Sequence, residues 1–275
     1  MEFGVLGPLR MTAQRISYVP TAPKQRQLLA LLLFNANQVV STSACIEELW
    51  ESAPPASALS TLQTYVLQLR RALRGVPHIG SLQDARKTLE TRDGGYLLVV
   101  HPGELDLHVF ERLVSHGRTA LDHDDDRTGS RLLGEALGMW TGAALADVQT
   151  GPILQSYLTG LEEQRICVQE QRIEADLRLG HHHELLGELS ALVTQNPTHE
   201  NLHAQLMLAL YRSGRPAQAL SVHRRLRQVL HDELGLEPSP RMRRLHQAVL
   251  ACDPVLDMPS QARGRLSLDL PARAG

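Results

Sequence analysis

The sequence predicts an α+β domain over residues 1–104 and an all-α domain over residues 105–253. Three observations carry this. Short β-branched and alternating runs mark the first hundred residues. Helical periodicity fills the chain from Leu105 to about Cys252. Within that stretch Leu179-Gly180 and Ser213-Gly214 each close a helix, and the glycines lie 34 residues apart, the period of tetratricopeptide repeats.

The first domain reads as strands over Glu2–Leu6, Leu9–Thr12 and Ile16–Val19, broken by a Gly7-Pro8 turn. Thr21-Ala22-Pro23 opens a helix, since proline is tolerated in a first turn that has no N–H partner to lose. That helix runs to about Phe34 with Leu28, Leu29, Leu31 and Leu32 as its stripe. Ser41 is placed to cap a second helix ending near Trp50, with Ile46, Leu49 and Trp50 turned inward. Pro54-Pro55 forbids continuation, and Ser57 is placed to cap a third helix. A Gly- and Pro-rich loop follows. Thr88–Arg92 and Tyr96–Val100 then flank Asp93-Gly94-Gly95 as a hairpin. Strands, three helices and a hairpin in that order describe a winged helix-turn-helix, in which the third helix enters the DNA major groove and the hairpin wing lies along the backbone or minor groove.

In the second domain candidate helices cover 106–121, 128–140, 152–180, 182–195, 199–213, 216–232 and 239–251. Leu186 matches Leu220 and Leu192 matches Leu226 at the 34-residue offset. Stacked helix pairs of this kind form concave surfaces that bind proteins. Residues 254–275 read as a disordered tail.

Composition narrows the function. Of 28 basic residues only Lys24 and Lys87 are lysine, and neither sits in a P-loop. Cys45, Cys167 and Cys252 lie far apart and form no disulfide framework or Cys-x-x-Cys pair, which fits a reducing cytoplasm. No apolar run reaches the roughly 18 residues of a membrane span, and no secretory leader is visible at the N-terminus. Residues 1–104 carry a net charge of +2 and residues 105–256 a net of −5, so DNA contact must rest on local arginine placement. His181-His182-His183-Glu184 is not expected to bind metal, because consecutive helical histidines diverge by about 100°. Asp122–Asp126 lacks the glycine and bidentate acid of a calcium loop and reads as a solvated acidic loop. No catalytic motif and no cofactor fingerprint appears, so the chain is expected not to be an enzyme and to need no cofactor.

The third helix, Ser57–Arg74, carries the functional signal. Leu59, Leu62, Val66, Leu69 and Leu73 form one apolar face. Ser60, Thr61, Thr64, Gln68 and Arg71 lie opposite, with Arg70 and Arg74 on the flank. Hydroxyls, an amide and arginines on one face suit base-edge and phosphate contacts. Arg71 is the first candidate for a base or phosphate contact, with Thr61, Thr64 and Gln68 on the same face. Arg70 and Arg74 are expected to bind phosphate. Arg92 at the hairpin tip is placed for the minor groove or a phosphate. Trp50 reads chiefly as core, with an indole N–H available to a phosphate.

The segments PKQRQLLALLLFNANQVVS (23–41), ELW (48–50), PPASALSTLQTYVLQLRRAL (54–73), GYLL (95–98), LDLHVFERLV (105–114), LHAQLMLALYRSGRPAQAL (202–220) and DELGLEPSPRMRRLHQAVL (232–250) resemble the Streptomyces antibiotic regulatory protein family. The resemblance covers nearly the whole chain except the tail. It implies a response-regulator-type winged helix followed by a bacterial transcriptional activation domain. It further implies binding to direct repeats in double-stranded DNA by two protomers side by side. Recruitment of RNA polymerase holoenzyme is implied too, with sigma region 4, the alpha C-terminal domain and the beta flap as partners, for secondary-metabolite gene clusters. Where many members read Ser-Arg-Leu-Arg-Arg, this chain reads Leu67-Gln68-Leu69-Arg70-Arg71. Arginine reads guanine and glutamine adenine, while Leu67 suits a thymine methyl, so either the preferred repeat differs or Gln68 touches no base. A cytoplasmic DNA-binding activator is the leading reading. A helical-repeat adaptor with a non-reading winged helix, and a hydrolase or transferase with scattered residues, are the competing classes. Residues 1–104 alone are expected to bind DNA and activate poorly.

Overall fold

The structure, a computed structural model, describes residues 1–257; residues 258–275 of the tail expected over 254–275 lie outside them. Two compact units form, one from Met1–His116 with Gly134–Cys167, the other from Gly117–Leu133 with the residues after Cys167.

The first unit contains the winged helix-turn-helix. Strands β1 (Glu2–Gly4), β2 (Arg10–Ala13) and β3 (Ile16–Ser17) make an antiparallel meander with Phe3 opposite Met11 and Ala13 opposite Ile16. β1 stops short of the expected Leu6 because a side chain replaces the ladder. The Val5 and Leu6 N–H groups donate to the Asp106 carboxylate at 2.9 and 3.2 Å. Helix α1 (Pro23–Phe34) opens on its proline and is buried from Gln27 through Leu33. A helix covered on nearly every side must stand at the centre of its domain.

Strand β4 (Val39–Ser41), which the sequence pattern did not expose, leads into α2 (Thr42–Trp50). Ser41 caps α2 as expected, accepting from the Ala44 N–H at 3.1 Å. Helix α3 (Ala58–Arg74) follows, but Ser57 does not cap it with its side chain. Its backbone is already turn-like, and the first bonds come from its own carbonyl, which accepts from the Thr61 N–H at 2.9 Å.

The expected loop after α3 holds a further helix, α4 (Leu82–Thr88). Ser81 caps it, accepting from the Asp84 N–H at 3.0 Å. The Ser-x-x-Asp spacing was a legible signal for that helix. The wing is β5 (Leu89–Arg92) and β6 (Gly95–Leu98), with Arg92 opposite Gly95 across the Asp93-Gly94 turn. β6 also pairs with β4, giving sheet order β4-β6-β5. A Cβ on Gly95 would stand 2.2 Å from the Val40 carbonyl oxygen, so glycine is what lets β4 approach. β6 ends at Leu98 rather than Val100 because Asn37 intervenes. Its side chain both donates to the Val100 carbonyl and accepts from the Val100 N–H, each at 2.9 Å.

Helices α5 (Asp106–Asp122), α6 (Asp126–Leu137) and α7 (Pro152–Leu179) each contribute residues to both units. In the first unit Glu48, fully buried on α2, receives the N–H groups of Gly151, Ile153 and Leu154 at 2.6, 3.0 and 3.0 Å. Gln27 Nε2 adds a fourth donor at 3.0 Å. A carboxylate set on a helix N-terminus satisfies orphan donors and meets the positive end of the dipole.

The second unit includes α8 (Leu186–Gln195), α9 (Glu200–Arg212), α10 (Pro216–Leu234) and α11 (Pro240–Ala251). The 34-residue repeat is visible in its core. Leu192 and Leu226 are buried, Leu186 and Leu220 pack against them, and Gly180 and Gly214 both hold left-handed backbone with φ of 91° and 72°. His181–Glu184 forms a turn rather than the start of α8. His181 Nδ1 there faces Asp176 at 3.6 Å. Asp125 in the acidic loop accepts from the Thr128 N–H at 3.0 Å at the start of α6. Residues 254–256, placed in the tail by the sequence reading, instead form a 3-10 turn whose Leu256 is buried in this core. The Arg212 guanidinium fastens that turn, donating to the carbonyls of Leu256 at 2.8 Å and Leu177 at 2.9 Å. No helix among the described residues is long and apolar enough to cross a membrane.

Candidate nucleic-acid interface

Helix α3 is fixed by its apolar side. Leu62, Val66, Leu69 and Leu73 are at most 1% exposed, and Ala58 joins them. Burying each large side chain is worth roughly 1.5–3 kcal/mol. Turning the opposite face inward would forfeit the whole stripe, so that face is held outward. Leu59 departs from the expected stripe: it is 52% exposed. It lies about 60° round the helix from the centre of the buried row, beyond the reach of the core.

The outward face carries Ser60, Thr64, Leu67 and Arg71 at its centre, all exposed. The Thr64 hydroxyl donates to the Ser60 carbonyl and the Ser60 hydroxyl to the Ser57 carbonyl, both at 2.9 Å. Each oxygen keeps its lone pairs outward as acceptors. Arg71 and Arg74 make no hydrogen bond or ion pair among the described residues and are exposed. Leu67 is 38% exposed, an apolar spot among polar groups. Gln63, also exposed on this helix, was not singled out from the sequence.

The remaining candidates have partners inside the protein. Gln68 is half-buried and its Oε1 accepts from Gln25 Nε2 on α1. Thr61 is half-buried beside the Ser57 hydroxyl at 3.5 Å. Arg70 is half-buried; its Nε donates to the Leu89 carbonyl at 2.9 Å and its Nη2 to the Thr91 hydroxyl at 2.8 Å. Burial first, and then the nearby Arg86 charge, pull the Arg70 pKa below its ordinary value. Arg70 thereby ties α3 to the wing. Arg92 at the wing is exposed and paired with Glu90. Trp50 is half-buried and stacks on Tyr65 of α3, ring centroids 6.2 Å apart and planes 17° off parallel. That stacking braces the middle of α3.

These placements separate two groups. Arg71, Arg74, Thr64 and Leu67 stand unencumbered on the outer face. Arg70, Gln68, Thr61 and Trp50 hold that face in position while keeping part of their polar capacity. Cys45 on α2 is buried, which pushes its thiol up to about 12 and leaves it chemically inert.

Comparison with known proteins agrees with this architecture. Residues 17–98 match the family described as transcriptional regulatory protein, C terminal, and residues 105–250 match the bacterial transcriptional activator domain. The chain is 46% identical over 260 residues to the regulatory protein DnrI of Streptomyces peucetius, covering 94% of each. It is 38% identical to the regulatory protein AfsR of Streptomyces coelicolor, matching 93% of this chain and 25% of that protein. A solved structure of Mycobacterium tuberculosis EmbR, in complex with a low-affinity phosphopeptide, superposes with a TM-score of 0.85 at 34% identity. The match covers 95% of this chain and 66% of EmbR. A winged helix whose third helix turns polar groups to solvent, followed by an activator domain matched along its length, belongs to the Streptomyces antibiotic regulatory protein family of DNA-binding transcriptional activators.

Proposed function

We propose that this chain binds tandem direct repeats beside promoters as two protomers side by side, with α3 in the major groove and the wing on the adjoining backbone. The observation that carries the reading is the outward face of α3, where Arg71, Arg74, Thr64 and Leu67 stand clear of the core. Arg71 at its centre takes a guanine edge or a phosphate, and Leu67 meets a thymine methyl. Gln68, whose acceptor oxygen already serves Gln25, offers its amide donors. Residues 1–104 read DNA and residues 105–253 hold RNA polymerase holoenzyme, through sigma region 4, the alpha C-terminal domain or the beta flap. A tenfold gain in promoter occupancy needs only about 1.4 kcal/mol of such coupling. The genes served are those of a secondary-metabolite cluster, in line with the family. The protein works in the cytoplasm, without a cofactor and without catalysis of its own.

Footprinting on the intergenic regions next to the gene tests the reading directly, with a pair of protected direct repeats expected. At that site Arg71→Ala is expected to weaken binding by about 1–3 kcal/mol if Arg71 meets a base edge. Unchanged affinity for the protected repeat removes Arg71 from the reading set. Absence of any protected sequence overturns the proposal.

A further inference from the structure

Beside the reading face the first unit has an open hollow of about 610 Å³ between α3, α4 and β5. Arg70, Arg86, Lys87 and Arg92 line it, with Glu90 and Thr91 between them. Four cations stand against two carboxylates, Glu90 in the lining and Asp84 paired with Lys87, so the hollow is net positive, in a domain whose overall net charge is only +2. The arrangement is held rather than accidental. Arg70 is clamped by the Leu89 carbonyl and the Thr91 hydroxyl, so it cannot swing away from Arg86. Their mutual repulsion is felt at Arg70, and Arg86 has no hydrogen bond or ion pair among the described residues. Lys87 is paired with Asp84 at 2.9 Å and Arg92 with Glu90, but Lys87, Asp84 and Arg92 are exposed enough for an incoming anion to displace these pairs at little cost. An anion between the guanidiniums would relieve the repulsion and accept several charge-assisted hydrogen bonds.

The hollow adjoins the reading face. Arg70 and Arg74 are neighbours at i and i+4 on α3, as are Leu67 and Arg71, and Leu67 lies one turn before Arg70. A duplex that takes α3 into its major groove therefore carries a phosphodiester strand past Arg74 toward Arg70 and α4.

We infer that this hollow grips one backbone phosphate of double-stranded DNA, with Arg86 and Lys87 of α4 as the gripping residues and Arg70 as the fixed wall. The inference rests on the DNA-binding reading above and adds gripping residues from α4, beside the recognition helix and the wing. Such a contact holds the protein on DNA without reading sequence.

The test is the salt dependence of DNA binding by the full chain. In Arg86→Ala/Lys87→Ala the slope of log affinity against log salt is expected to become shallower by about 0.9, the loss of one phosphate contact. Affinity for the protected repeat and for unrelated duplex is expected to fall by the same factor. Arg86→Lys/Lys87→Arg, which keeps both charges, is expected to keep the parent slope. An unchanged slope in the alanine variant overturns the assignment, whether or not affinity falls, because a merely structural loss leaves the count of phosphate contacts intact. Calorimetry with inorganic phosphate alone separates the sources. Phosphate bound by the parent and lost in the alanine variant, together with an unchanged DNA slope, makes free anion the occupant and also overturns it. A parent that binds no duplex at all overturns the DNA reading itself, and this inference with it.

Discussion

In the first unit, carboxylates hold backbone amides from segments a hundred or more residues away in sequence. Glu48 takes those of Gly151, Ile153 and Leu154, Asp106 those of Val5 and Leu6, and Asp147 that of Leu9 at 2.7 Å. In the second unit the corresponding ties are short. Ser239 caps its own helix, glycines at 214 and 235 turn their own chain, and Arg212 reaches only to Leu177 and Leu256. The contrast teaches that a repeat-like unit is stabilised by neighbours in sequence, whereas the DNA-reading unit is closed by charges from far along the chain. Truncation and substitution should therefore injure the two units very differently.

The largest expected effect is that of cutting after Glu104. The fragment lacks Asp106, Asp147 and the whole of Gly151–Leu154. It leaves Glu48 with only Gln27 as a donor and without the segment that covers it, and the Val5 and Leu6 N–H groups without the Asp106 acceptor. Losing several buried hydrogen bonds to charged groups, each worth about 1.5–3 kcal/mol, destabilises by several kcal/mol. Residues 1–104 alone are expected to melt far below the full chain, and an equal melting temperature would dissolve the contrast. DNA binding by residues 1–104 alone is expected to suffer with that stability, and residues 1–167, which keep all three carboxylates and their partners, are expected to bind more strongly than 1–104.

Next in size is Glu48→Ala, which strands three backbone donors and is expected to cost roughly 3 kcal/mol or more. Hydrogen exchange should place the loss in the first unit and leave α8–α11 protected. Alkylation of Cys45, inert while buried, should quicken in step, with exposed Cys252 as the internal reference. Equal loss of protection in both units would break the comparison.

Acid should act on the other side. His203 and His223 are buried, and burial is the first cause holding the pKa of each below the ordinary 6.5. The unfolded chain takes up protons at these sites that the folded chain refuses. Their contribution is present above about pH 6.5 and is lost as pH falls below it toward the depressed folded values. The second unit is thus expected to lose stability on acidification from pH 7 to 5, and His223→Phe should flatten that slope. A steeper slope in the variant would contradict the sign. The smallest effect is that of Ser239→Ala, about 1 kcal/mol from one lost cap on α11, read by denaturant midpoint and confined to the second unit.

Periodicity carried the helices. The second unit's Leu192/Leu226 pairing and glycine-terminated helices, and the first unit's α1, α2 and α3, were legible because each is decided by residues within a few turns. What was illegible had distant causes. Leu59 has the spacing of a core residue, and only the position of the neighbouring helices leaves it outside. β1 and β6 end early because Asp106 and Asn37, far along the chain, substitute side chains for a strand partner. At the candidate site the residue types were readable and their employment was not. Nothing in the spacing of Gln68 or Arg70 says that Gln25 on α1 and Leu89 in the wing engage them. α4 was a missed local signal, since Ser81 and Asp84 stand at capping distance in the sequence itself.

Glu48 also sets a timetable for the nascent chain. A ribosome adding roughly 5–20 residues per second makes the partners of this carboxylate on the order of 5–20 s after the carboxylate itself. During that interval the helix next to the recognition helix exists with its acid unclasped. A polypeptide released or cleaved before Leu154 emerges is left in that state, a substrate for chaperones and proteases rather than a half-sized regulator.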